Sequence, residues 1–197
     1  MPAPVRTSTP PPPSCGGLAC AELGLCTAEG DACIATAADC GESKVCWQHG
    51  YCSAREGHCA VVGDADCDKS EDCARAGYCT ADRGVCVAAR DEDCEASAVC
   101  RDEGRCTLEH HQCVPTDETC RALPACRERG ECSAGGVLGC VAQNEKDCLK
   151  SVACKRVGQC SVMAMQCMAA TDEDCRRSDA CRKEGKCKAY GYRCMEP

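Results

Sequence analysis

The chain has 197 residues, of which 28 are cysteine, and its only aromatic side chains are one Trp and four Tyr. Seven Leu, one Ile and 13 Val make up about a tenth of the chain, well under the ~20% below which a charged chain ordinarily fails to fold on apolar burial. Its 23 Lys and Arg against 31 Asp and Glu leave a net charge of −8, so a large enzyme-like core is excluded and nucleic acid is not the default partner.

Cysteine, at about 14% of the chain, must replace the missing core, as in a disulfide scaffold. The acid is uneven: residues 1–100 carry 7 basic and 16 acidic groups, residues 101–197 carry 16 and 15. No apolar run approaches the ~18 residues of a membrane span. Met1 leads directly into a Pro-rich stretch without a signal-peptide pattern, so an exported protein would be present here in its mature form.

In chain order, residues 1–14, with Pro10 to Pro13 contiguous, predict an extended polyproline-like tether. The cysteines then fall into seven groups of four, spaced C-x5-C-x5-C-x6-C, with x4 once in the first group and x7 once in the fifth. Repeat 1 spans 15–39 (Cys15, Cys20, Cys26, Cys33), repeat 2 spans 40–66 (Cys40, Cys46, Cys52, Cys59) and repeat 3 spans 67–93 (Cys67, Cys73, Cys79, Cys86). Repeat 4 spans 94–119 (Cys94, Cys100, Cys106, Cys113) and repeat 5 spans 120–147 (Cys120, Cys126, Cys132, Cys140). Repeat 6 spans 148–174 (Cys148, Cys154, Cys160, Cys167) and repeat 7 spans 175–197 (Cys175, Cys181, Cys187, Cys194). First cysteines lie 25 to 28 residues apart, the mark of a tandem array.

Each repeat reads as a short helix followed by a β-hairpin. The residue before the first cysteine, Ser14, Asp39, Asp66, Asp93, Thr119, Asp147 or Asp174, is a helix N-cap former. Two residues before the third cysteine stands Gly24, Gly50, Gly77, Gly104, Gly130, Gly158 or Gly185, the residue with which a helix stops in the left-handed conformation. One helix of two to three turns between them would set its two cysteines about 120° apart. Between those cysteines lies Ser43, Ser70, Ser97, Ser151 or Ser178, with Leu18 or Leu123 in two repeats. The serine reads as a small residue between two bridges, its hydroxyl bonded to the preceding turn; a nucleophile is the rival reading.

After the glycine, turns such as Glu56-Gly57, Arg83-Gly84 and Tyr190-Gly191, with Thr and Val beside the cysteines, predict two strands. The third and fourth cysteines are expected to oppose each other across that hairpin. Helix-to-hairpin bridging permits first-to-third with second-to-fourth, or first-to-fourth with second-to-third. Spacing does not choose between them, and bridges between neighbouring repeats stay open. At ~2–4 kcal/mol each, the bridges must fold a unit too small to do so on apolar surface. The expected fold class is small disulfide-rich α+β repeats: seven helix-plus-hairpin modules with little hydrophobic core.

Sequence patterns predict no catalytic residue, metal ligand or cofactor. Structural zinc wants C-x2-4-C pairs, and no C-x-x-C or C-x-C occurs. The histidines are His49, His58, His110 and His111; the pair His110-His111 falls at the predicted hairpin turn of repeat 4 and reads as an exposed turn, with a metal role as the rival reading. Asp64, Asp66 and Asp68 begin like a calcium loop, but Lys69 stands where glycine is needed and Arg75 where glutamate is needed. A weak Ca2+ site at the acidic joints Asp64-Ala65-Asp66, Asp91-Glu92-Asp93 and Asp172-Glu173-Asp174 is a lesser expectation beside complementation of helix dipoles. Repeat 7 carries +4 over residues 175–197, which suits an anionic polymer, a lipid surface or a solvated helix face. Trp47, Tyr51, Tyr78, Tyr190 and Tyr192 are candidate contact or packing residues.

The pattern D-C-x2-S-x2-C-x3-G-x-C-T-x5-C-V, carried by Asp66-Cys67, Ser70, Cys73, Gly77, Cys79-Thr80 and Cys86-Val87, resembles tandem four-cysteine repeats in predicted secreted proteins of myxobacteria-like bacteria. The resemblance covers residues 14–195, with repeats 1 and 5 departing at the Ser position and in spacing. It implies export to a secreted or cell-surface setting and brings no catalytic residue with it. The expectation is a non-enzymatic, extracytoplasmic, disulfide-stapled repeat protein, serving as a structural spacer or as a multivalent, self-assembling interaction surface. Its ligand would be a protein or a second copy, not nucleic acid. A thiol-based copper or zinc store and an inhibitor of secreted proteases are the alternatives.

Overall fold

A computed structural model describes residues 15–197; the tether at 1–14, Ser14 included, lies outside the described residues. The chain divides into two compact units, one running to Cys73 and including Cys79–Cys86, the other comprising Ala74–Tyr78 and Val87–Pro197. Among the described residues each repeat closes with its own two-stranded antiparallel hairpin, seven in all. Among the described residues no helix is long and apolar enough to cross a membrane.

The helical part differs from the single helix expected. Repeats 2 to 7 each contain two helices of four to six residues, such as Ala37–Glu42 followed by Lys44–His49. The break falls on the serine. Ser43 is extended at φ −80°, ψ 157° and Ser178 at φ −86°, ψ 160°. In five repeats the serine Oγ donates to the carbonyl of the first cysteine at 2.6–2.8 Å. The same Oγ accepts from the N–H of the second cysteine at 3.0–3.4 Å. One hydroxyl therefore closes one helix and caps the next. In repeat 5, Leu123 takes the same conformation, φ −75°, ψ 147°, before Pro124, because proline pushes its predecessor out of the helical region.

The N-caps also need correction, by three residues. Asp39, Asp66, Asp93, Thr119, Asp147 and Asp174 are third residues of their helices, and the caps are Thr36, Gly63, Arg90, Thr116, Asn144 and Thr171. The carboxylate reaches backwards: Asp39 Oδ2 accepts from the Thr36 N–H at 2.9 Å, while Thr36 Oγ1 accepts from the Asp39 N–H at 3.3 Å. That reciprocity is a capping box.

Gly50, Gly77, Gly104, Gly130, Gly158 and Gly185 follow the second helix of their repeats, and Gly24 the single helix Leu18–Leu23 of repeat 1, all with φ between +70° and +79°. The reversal brings the third cysteine back beside the second. Accordingly Cys20–Cys26, Cys46–Cys52, Cys73–Cys79, Cys100–Cys106, Cys126–Cys132, Cys154–Cys160 and Cys181–Cys187 are bonded across six residues. First and fourth cysteines bond across 18 to 20 residues: Cys15–Cys33, Cys40–Cys59, Cys67–Cys86, Cys94–Cys113, Cys120–Cys140, Cys148–Cys167 and Cys175–Cys194. Every bridge stays inside its repeat.

The third and fourth cysteines do not oppose each other. The fourth pairs with the residue two beyond the third, as in Ala54↔Cys59, Leu108↔Cys113 and Val162↔Cys167. Two-residue turns set this register. Both turn residues have positive φ at Glu56-Gly57, Arg83-Gly84, His110-His111, Ala164-Met165 and Gly191-Tyr192. In repeat 5 the extra residue replaces the tight turn with a short 3-10 segment, Gly136–Leu138. What core exists is small: Ala88, Cys94 and Cys113 form one buried cluster, and Ala142, Cys148 and Cys167 another. In each, an alanine from the end of one repeat meets the first and fourth cysteines of the next.

Candidate functional site

Consecutive repeats are joined by a polar seam. Beside the third cysteine a hydroxyl donates to the Asp that immediately precedes the first cysteine of the following repeat: Thr27 to Asp39 at 2.8 Å, Ser53 to Asp66 at 2.9 Å, Ser161 to Asp174 at 2.8 Å. The glycine supplies the close approach. A Cβ on Gly158 would lie 2.5 Å from Cys194 Sγ and 3.0 Å from the Asp174 carbonyl oxygen, and Gly24, Gly50 and Gly130 repeat this geometry. The sequence shows these hydroxyls only as residues suited to strands; their recurrence beside the third cysteine was the available signal.

The acids at the joints are occupied by this seam. Asp66 Oδ2 accepts from the Val62 N–H, Asp174 Oδ2 from the Ala170 and Thr171 N–H groups, and Asp64, Asp91 and Asp172 each accept from a strand N–H at 2.8–2.9 Å. The Ca2+ expectation finds no support in oxygens so engaged. The Thr36 backbone N–H, then the Thr36 and Thr27 hydroxyls, hold the Asp39 carboxyl below its ordinary value. Lys188, then the Ala189 N–H, do the same for Asp172.

The chemical alternatives lose their groups. All 28 cysteines are bonded, with none free, so a thiolate metal store has no ligands in this form. Asp68 lies near Cys73 and Cys79, but those two sulfurs are joined to each other. The five serines are buried and spend donor and acceptor on the backbone, which overturns the nucleophile reading. The basic face of repeat 7 is largely self-neutralised: Arg177 pairs with Glu173, Arg182 with Asp179, Lys186 with Glu184 and Lys188 with Asp172.

Variable residues gather in a groove that occurs at the junctions of repeats 1 and 2, 3 and 4, and 6 and 7. The left-handed glycine turns its two flanking side chains outward. The residue before the second cysteine of the next repeat and the end of that repeat's hairpin complete the walls. At the junction of repeats 1 and 2 the groove measures about 270 Å3 and is lined by Leu23, Leu25, Val45, Tyr51, His58 and Cys59. Between repeats 3 and 4 the equivalent positions are Ala76, Tyr78, Val99, Arg105, Gln112 and Cys113, enclosing about 200 Å3. Between repeats 6 and 7 they are Val157, Gln159, Ala180, Lys186, Arg193 and Cys194, about 300 Å3. The frame is constant while the lining passes from apolar to charged. Of the candidate aromatics, Tyr51 and Tyr78 sit in grooves, whereas Trp47, Tyr190 and Tyr192 are exposed elsewhere. Among known proteins no family model, no curated protein and no solved structure matches the chain.

Proposed function

We propose that this chain is a non-enzymatic, extracytoplasmic interaction protein: a disulfide-stapled spacer that presents grooves at several of its junctions, each with its own lining, to protein partners. The observation that carries this reading is the separation of roles along the repeat. Residues that recur make bridges, caps or the seam, and residues that vary line the grooves. An array whose units touch only their neighbours suits such display. Fourteen disulfides fit an oxidising compartment. The resemblance to secreted four-cysteine repeats points the same way.

Mass measurement of native protein without reductant tests the framework: oxidation of all thiols lowers the mass by about 28 Da, two hydrogens per bridge. The oxidised form should resist trypsin and the reduced form should be digested within minutes. Finding most thiols unpaired and metal retained would overturn the reading in favour of a metal store. A protease-inhibitor role has less support, because six of the seven hairpins end in two-residue turns too tight to present an extended reactive loop.

A further inference from the structure

We propose that repeat 7 is a closing repeat, whose outer face refuses a further four-cysteine repeat and so keeps copies of this chain from stacking end to end. The basis is a change at two positions that are otherwise uniform in character. The residue after the third cysteine is Thr27, Ser53, Thr80, Thr107, Ser133 or Ser161 in the six preceding repeats, and Lys188 in the seventh. The residue two beyond the fourth cysteine is Ala35, Val61, Ala88, Pro115, Ala142 or Ala169, and in the seventh it is Glu196.

Both positions belong to the junction wherever another repeat follows. The hydroxyls of Thr27, Ser53, Ser133 and Ser161 donate to the Asp before the next first cysteine. The small apolar residue is buried in all six cases, and Ala35, Ala142 and Ala169 donate their backbone N–H to the turn of the next hairpin at 2.8–3.3 Å. A glutamate in that place would press its carboxylate against the first and fourth cysteines of the incoming repeat, as Ala142 meets Cys148 and Cys167. Bridged sulfurs have no proton to donate, so the charge would be buried unpaired, which is costly. Lys188 in turn lies over its own helix start: its Nζ donates to Asp172 Oδ2 at 2.8 Å, and the side chain stays exposed.

The remainder of the face keeps the form of a junction. Gly185 holds φ +72°, yet an added Cβ there would meet nothing within 4 Å, whereas on Gly24, Gly50, Gly77, Gly130 or Gly158 it would lie 2.5–2.9 Å from a fourth-cysteine Sγ of the next repeat. In repeat 1, Cys15 and Cys33 are partly exposed, while the first cysteines of the later repeats are wholly covered. An open first repeat and an open last repeat would be the two halves of one heterologous contact, which propagates into fibres instead of closing. A polar outer face on a terminal repeat prevents that growth and leaves the grooves to other partners.

The test follows the full oxidised chain by sedimentation equilibrium. The parent should remain monomeric up to about 1 mM. Lys188→Ser with Glu196→Ala restores the residues of a junction and should assemble beyond dimers below about 100 μM; Glu196→Ala alone should do so at higher concentration. Adding Gly185→Ala to the double variant should return it to the monomer, because the new Cβ would strike the incoming Cys33 sulfur as one on Gly158 would strike Cys194. An unchanged non-reduced mass per chain verifies the bridges in each variant. The proposal is overturned if both variants stay monomeric, if assembly survives Gly185→Ala, or if the parent itself assembles in a way that Gly185→Ala abolishes.

Discussion

Replacing glycine by alanine at two equivalent positions separates what the turn needs from what the junction needs. Gly158 and Gly185 have φ of +78° and +72°, so either alanine meets the left-handed cost of about 1–2 kcal/mol. At Gly185 an added Cβ has nothing within 4 Å, whereas at Gly158 it lies 2.5 Å from Cys194 Sγ, 3.0 Å from the Asp174 oxygen and 3.1 Å from Cys175 Cα. None of these is the free end of a flexible side chain: two are backbone and one is locked in a bridge. Overpacking adds about 1–3 kcal/mol, so Gly158→Ala should cost about 2–5 kcal/mol against about 1–2 for Gly185→Ala. Hydrogen exchange on the oxidised protein reads this locally. The Cys175 and Ser178 amides, bonded to the Thr171 and Cys175 carbonyls, should lose protection in Gly158→Ala and keep it in Gly185→Ala. Equal loss in both variants would refute the claim that the glycine's recurrence reflects packing between repeats.

Removing the hydroxyl in Ser151→Ala takes one of two donors from the buried Cys148 carbonyl, which keeps the Ser151 N–H, and leaves the Cys154 N–H uncapped, so thermal denaturation should show a loss of about 0.5–2 kcal/mol. The turn Ala164-Met165 holds two non-glycine residues at positive φ; Ala164→Asn with Met165→Gly suits that turn and should raise stability by about 1 kcal/mol in guanidinium titration. The Asp39 carboxyl is held below its ordinary value by hydrogen bonds. Its contribution is therefore fully present above the unfolded value of about 3.9 and is lost as pH falls through the lower folded value. Asp39→Asn should flatten that acid dependence of exchange at the Asp39 and Cys40 amides, while Asp82→Asn, at an exposed strand position, should leave it intact.

The parts of the fold that could be read from sequence are those fixed by a single residue type. A glycine recurring at one offset announces a left-handed stop, and Glu56-Gly57 or His110-His111 mark turns because nothing longer fits between the strands. The helix break was not readable, because a serine between two cysteines serves equally well inside a helix or at a cap. Only the orientation of its hydroxyl, out to the first-cysteine carbonyl and in from the second N–H, decides. The caps slipped by three residues because Thr36 and Asp39 are both good cap formers and a capping box uses both. The cysteine pairing depends on how far the chain turns back at the left-handed glycine, which sets the third cysteine beside the second, and spacing alone does not show that. The groove is hidden for another reason: its walls come from two repeats, and apart from the fourth cysteine the residues that line it do not recur.

That last property separates binding from folding. The residue after the left-handed glycine is Leu25, Tyr51, Tyr78, Arg105, Glu131, Gln159 or Lys186, a range that no buried position would tolerate. The turn itself is made by the glycine and the following bridge, although Tyr78 also packs against the Ala88, Cys94 and Cys113 cluster. Exchanging linings between junctions should therefore move binding without moving the fold. Replacing Leu25 by Gln and Tyr51 by Lys gives the first groove the residues of the last, Gln159 and Lys186. Denaturation of that double variant should stay within about 1 kcal/mol of the parent, as expected for surface changes, while the first groove loses its apolar lining and any partner selected by it. A loss of several kcal/mol would mean that the groove is part of the core, and the separation of roles on which the functional reading stands would fail.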